Sequence, residues 1–132
     1  MQSRRDLGLL MLRVGIGGMF IAHGLPKLLA GPEKWLKLGK TMEHLGVDFA
    51  PTYFGLAAAV SESLGGLCLA LGIATRPALA LLVVTMLVAG TQHLLRGDGF
   101  GRSSHALESA ILFASLMLIG PGKYRLGKGP WT

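Results

Sequence analysis

Four apolar stretches set the limits on what this 132-residue chain can fold into. They cover residues 7–25, 53–74, 78–95 and 104–119. A helix needs about 20 residues to cross a hydrocarbon core of about 30 Å. The first three stretches fit that length, and the fourth must use its polar flanks or a thinned bilayer. A backbone in lipid has to satisfy its own hydrogen bonds, so the spanning form is helical. The expected fold class is all-α: an integral membrane four-helix bundle with an interfacial helix in the first loop, one domain over residues 1–132.

Composition agrees with a bilayer as solvent. Charged residues are 15% of the chain, against about 25% in soluble domains. The net charge of +6 falls mostly in loops and tails, where anionic head groups attract Lys and Arg. No basic stretch is interleaved with exposed aromatics, so no nucleic-acid partner is expected. The single cysteine, Cys68, allows neither an internal disulfide nor a dithiol redox pair, and reads as a small packing residue. The first apolar stretch follows Arg4-Arg5 in the manner of a signal peptide. It contains Arg13, lacks a small-residue cleavage site and precedes further spans, so it is expected to stay as a transmembrane helix.

The connections differ in kind. Thr75-Arg76-Pro77 is a tight link, which makes the second and third segments antiparallel neighbours. The first segment is expected to stop at Pro26, and a long connection follows it. Within that connection Trp35, Leu36, Leu38, Met42 and Leu45 oppose Lys34, Lys37 and Lys40. The pattern fits a helix lying in the membrane interface with Trp35 as anchor; a loop helix packed on the bundle end is the other reading. Small residues at four-residue spacing (Ala57, Ser61, Gly65; Ala106, Ala110, Ala114), with Gly15, Gly17, Gly18 and Ala22, allow close helix packing. Four crossings put both termini on one side. Basic residues tie between the two sides, and the smaller number of acids leans the termini toward the cytoplasm.

Ionisable groups in apolar helices are costly and seldom face lipid. Arg13, His23, Glu62, His93 and Glu108 are such groups. From the helical rise, Arg13 lies about 9 Å in from the side of the termini and Glu62 about 13 Å in from the other. An Arg13–Glu62 buried ion pair is therefore geometrically reasonable. His23, Gln92, His93, Glu108 and the adjacent Lys27 fall toward one half of the bundle. One reading is that these groups only fix helix register. A second is a pocket for a quinone head group or a proton relay, with Met19, Met86 and Phe113 lining the rest. A third is a metal held by His23, His93 and Glu108, which no ligand spacing supports. His23 and His93 meet the requirement for two haem ligands only loosely.

Several short stretches, in order, resemble the DoxX family of small bacterial membrane proteins. They are Leu-Arg-Val-Gly at 12–15, Ala-His-Gly-Leu-Pro-Lys at 22–27, Glu-Ser-Leu-Gly-Gly at 62–66, Gly-Ile-Ala-Thr-Arg-Pro at 72–77, His-Leu at 93–94, Glu108, and Gly-Pro-Gly-Lys-Tyr at 120–124. The resemblance covers nearly the whole chain. It implies a four-helix bundle in the bacterial inner membrane with a redox role, as a quinone-linked accessory subunit of a sulfur, respiratory or oxidative-stress complex. Expected partners are the lipid bilayer, other membrane or redox subunits, and a second copy of the chain. Arg13, His23, Lys27, Glu62, His93 and Glu108 match the family's polar positions. Distant animal relatives include a receptor-assembly chaperone, so a non-enzymatic assembly or scaffold role is the alternative.

Overall fold

The computed structural model describes residues 2–132. Among these all regular structure is helical: α1 Gln2–Leu29, α2 Pro32–Lys40, a 3-10 turn Thr41–Leu45, α3 Pro51–Leu71, α4 Thr75–Leu95 and α5 Phe100–Ile119. Three helices, α1, α3 and α4, are long and apolar enough to cross a membrane. The fourth expected span, α5, has the length at 20 residues but is not among them. Its first turns carry Arg102, Ser104, His105 and Glu108.

Two of the boundaries that differ from expectation lie at proline. Pro26 does not end α1, which runs on to Leu29 and closes with Ala30 N–H donating to Pro26 C=O at 3.0 Å. Proline removes one donor but keeps a helical φ, and membrane helices tolerate it. Pro77 lies inside the first turn of α4, where its missing N–H costs nothing. The link is instead Gly72-Ile73-Ala74. Gly72 is left-handed (φ 70°), with its N–H on Leu69 C=O and that of Ile73 on Cys68 C=O. This pair of bonds satisfies two of the last carbonyls of α3 and turns the chain back on itself.

α3 is the hub, packed against α1, α2 and α4. Its contact with α1 depends on absent side chains. A Cβ on Gly17 would sit 2.6 Å from Gly66 O, one on Gly66 2.7 Å from Gly17 O, and one on Gly24 2.6 Å from Ser63 N. Of the small residues in α1, Gly15 and Gly18 instead face open space. α4 and α5 approach where Gly90 meets Leu107, and Ser103 Oγ donates to Gly90 C=O at 2.9 Å. α1 and α5 meet through larger groups, with Phe20 edge-on to Phe113 at 4.9 Å. Leu69, Leu79, Leu82 and Leu116 complete the core around Phe113. Outward, Met11, Val84, Ile111 and Leu118 are 69%, 59%, 68% and 88% exposed, the apolar exterior a bilayer requires.

α2 does not stand free. It runs antiparallel beside the first turns of α3, with Gly55 against the Trp35 backbone and Gly39 against Pro51, leaving no room for a Cβ at either glycine. Trp35 is half-buried and its indole N–H donates to Lys27 C=O at 3.1 Å. The lysines of α2 face outward. α2 thus packs against the bundle, with Trp35 turned partly into it.

Candidate functional site

The polar residues of the spans do not share one interior. Arg13 is 1% exposed but its partner is not Glu62. Its Nη1 donates to Pro121 O at 2.6 Å and Tyr124 O at 2.7 Å, and its Nε to Leu69 O at 3.1 Å. Nη2 reaches Ala70 O only at 3.4 Å. The guanidinium sits at the carbonyl-rich C-terminus of α3, where the helix dipole favours a cation. It also ties α1 and α3 to the chain after α5. Glu62 is paired with Lys27, whose Nζ lies 3.0 and 3.3 Å from the two carboxylate oxygens. The continuation of α1 past Pro26 makes this possible, because it carries Lys27 alongside the middle of α3. The expected Arg13–Glu62 pair is therefore replaced by a Lys27–Glu62 pair and an arginine held by carbonyls.

The expected head-group set separates in the same way. Lys27 is committed to Glu62. Gln92 donates to Met42 Sδ at 3.1 Å, fastening α4 to the 3-10 turn. His93 Nδ1 lies 2.9 Å from Asp98 Oδ2, and Arg96 Nε lies 3.3 Å from the same oxygen. Asp98, outside the apolar segments, was not expected. Its position five residues after His93, across the turn at Gly97, was the signal available. The N–H of His93, then the charge of Arg96, hold its carboxyl below the usual carboxylate range. Met86 and Phe113 belong to the packed core, and Met19 faces outward. Among the described residues no three His, Cys, Asp or Glu side chains are grouped to hold a metal, so His23, His93 and Glu108 do not form the His₂Glu set.

His23 and Glu108 are both exposed, and they have one surface feature in common. An apolar groove of about 330 Å³ runs between α1 and α5, walled by Gly8, Leu12, Leu112, Ser115 and Ile119, with Arg5 at its end. Glu108 stands four and seven residues before Leu112 and Ser115, so it continues the wall on α5. His23 stands 18 residues, five whole turns, beyond Arg5 and so shares its face of α1, about three turns past Leu12 where the groove's lining ends. The two helices are antiparallel, since Arg5 and Ile119 lie together at one end, and the two side chains therefore follow the groove in the same direction. His105 also lies on the exposed side of α5.

The family model named DoxX matches residues 8–94, about two thirds of the chain. No curated protein and no solved structure matches it.

Proposed function

The chain belongs to the DoxX family and is a multi-pass membrane protein, and from that premise we propose that it is a redox accessory subunit holding a quinone at the α1–α5 groove. What supports this reading is the apolar groove between α1 and α5 together with two exposed ionisable groups, His23 and Glu108, on the same faces of those helices, about three turns and one turn beyond its lining. Lipid-facing ionisable groups are costly unless a partner occupies the face. A quinone matches both parts of the surface. Its apolar tail suits the Leu12–Leu112 section, and its ring oxygens need the donors and proton carriers that His23 and Glu108 supply. Glu108, one turn beyond the groove, would hold the ring and His23, about two turns farther along, would pass protons to and from it, while electrons come from a partner subunit bearing a redox centre. Lys27, Gln92 and His93 are not part of this set.

In this reading α5 is the fourth crossing of a single bundle and the membrane is the bacterial inner membrane. The two termini then share one side. The tail contacts that side through Lys123 N–H on Asp6 and Arg76 N–H on Trp131 C=O, and since basic residues tie between the two sides, it is the smaller number of acids there that leans it toward the cytoplasm. The test is extraction in mild detergent followed by mass spectrometry of bound small molecules, with melting curves in a short-tailed quinone. A co-purified quinone and a melting shift lost in His23→Phe and Glu108→Gln support the site. No quinone and no shift would overturn it. One observation favours the assembly-subunit alternative: the buried polar groups Arg13 and Glu62 tie separate elements of the chain together. That reading predicts partner capture unchanged in the same two variants.

A further inference from the structure

A second cavity, of about 470 Å³, opens where α1, the end of α3 and the C-terminal tail meet. Three cations, Arg13, Lys123 and Arg125, line it together with Leu10, Leu71 and Leu126, and no carboxylate does. Asp6 lines an adjoining cavity, where its Oδ1 accepts the Lys123 backbone N–H at 3.1 Å. Among the described residues the buried Arg13 guanidinium forms no ion pair and is bonded to neutral carbonyls. Its Nη1 and Nε are well engaged, but Nη2 has a single long bond, at 3.4 Å. A Cβ at Gly72 would touch both this Nη2 and the Cβ of Arg125, so the two arginines approach each other over a glycine. Arginine forks match the oxygens of phosphate, and lysine adds a point charge. Beside the cations, Leu71 and Leu126 are 39% and 68% exposed, which gives the cavity a greasy edge.

We propose that this cavity binds the phosphate group of an anionic membrane phospholipid, with its acyl chains against Leu10, Leu71 and Leu126. The phosphate supplies the counter-anion that Arg13 lacks among the described residues, and the site stands whether or not a quinone binds between α1 and α5. The test uses the full chain in detergent, with native mass spectrometry and melting curves. The probes are phosphatidylglycerol, phosphatidylcholine and inorganic phosphate, added separately. Phosphatidylglycerol is expected to stay bound and raise the melting temperature, with phosphatidylcholine weaker. The variant Lys123→Gln/Arg125→Gln removes two exposed cations while leaving Arg13 and the backbone bonds in place. It is expected to retain phosphatidylglycerol about 30-fold more weakly and to melt unchanged without lipid. Equal retention of the two lipids, or unchanged retention in the double variant, overturns the proposal. A shift with inorganic phosphate but none with phosphatidylglycerol shows a free-anion site and overturns the lipid assignment.

Discussion

The Lys27–Glu62 pair predicts an asymmetric response to removing either partner. Both carboxylate oxygens face one ammonium, but the partners are not equally buried: 32% of the Lys27 side chain is exposed and 9% of that of Glu62. Lys27→Met strands a carboxylate in an apolar interior, and breaking a buried pair in this way costs about 3–5 kcal/mol. Glu62→Gln strands an ammonium that is already a third exposed, on a flexible stem at the end of α1. That group can swing outward to water or head groups, so the loss should be about 1 kcal/mol, as for exposed pairs. The double variant leaves no uncompensated charge and should lose no more than Glu62→Gln alone, because replacing both members of a pair is often neutral. The assay is reversible unfolding in mixed micelles by titration with a denaturing detergent, for the wild type and the three variants. Equal losses in the two single variants, or losses that simply add in the double, would refute the reasoning.

Gly24→Ala puts a methyl 2.6 Å from Ser63 N, with backbone on the other side, and should destabilise by about 1–3 kcal/mol. Gly15→Ala meets nothing within 4 Å and should gain up to about 1 kcal/mol from helix propensity; the same unfolding titration separates the two. Arg13→Gln removes the donor shared by Pro121 and Tyr124, so trypsin should cut after Lys123 and Arg125 far faster than in the wild type, with a stability loss of about 3 kcal/mol or more. Asp98 has a carboxyl depressed in the folded chain by His93 and Arg96. The stability it adds is present above the unfolded value, about 3.9, and is lost as pH falls through the lower folded value. The melting temperatures of wild type and Asp98→Asn should therefore differ by a fixed amount from pH 7 to 5 and converge below about pH 4.

The sequence made α1, α3 and α4 legible because apolar length is a one-dimensional property. It also singled out Arg13, Glu62, His23 and Glu108, because each is an expensive residue inside a greasy run. Partner choice was not legible. The Arg13–Glu62 pair rested on depth along separate helices, with Pro26 taken as the end of α1. Three further residues of helix bring Lys27 to Glu62 instead. What holds Arg13 is backbone carbonyl, which every residue carries and no sequence pattern marks. Gly120-Pro121-Gly122 could be read as a stop for α5, but nothing in it announced an acceptor for a residue 108 positions away. The bias toward interior positions had a similar origin. The cost of charge in lipid argues that a group needs a partner, and it does not decide whether that partner is within the chain.

The unequal closeness of the helix contacts gives the α1–α5 groove a physical basis. Glycine at 17, 24 and 66 lets the α1 and α3 backbones touch, and Gly90 makes room on α4 for the Leu107 side chain of α5. No glycine is used in this way between α1 and α5, which are held apart by Phe20, Phe113 and Leu116. Two tight pairs joined through bulky side chains leave a furrow at their junction, with Gly8 as its low point on α1. His23 and Glu108 lie beyond its lining on the same faces of the two helices. A Cβ at Gly8 meets no atom within 4 Å, so a bulky residue there, as in Gly8→Leu, has room to enter the furrow and should leave unfolding near wild type. The same change should weaken quinone-dependent stabilisation if the tail lies there. Full stabilisation by a long-tailed quinone in Gly8→Leu would leave His23 and Glu108 as candidates for the head group and remove the groove as the path of the tail.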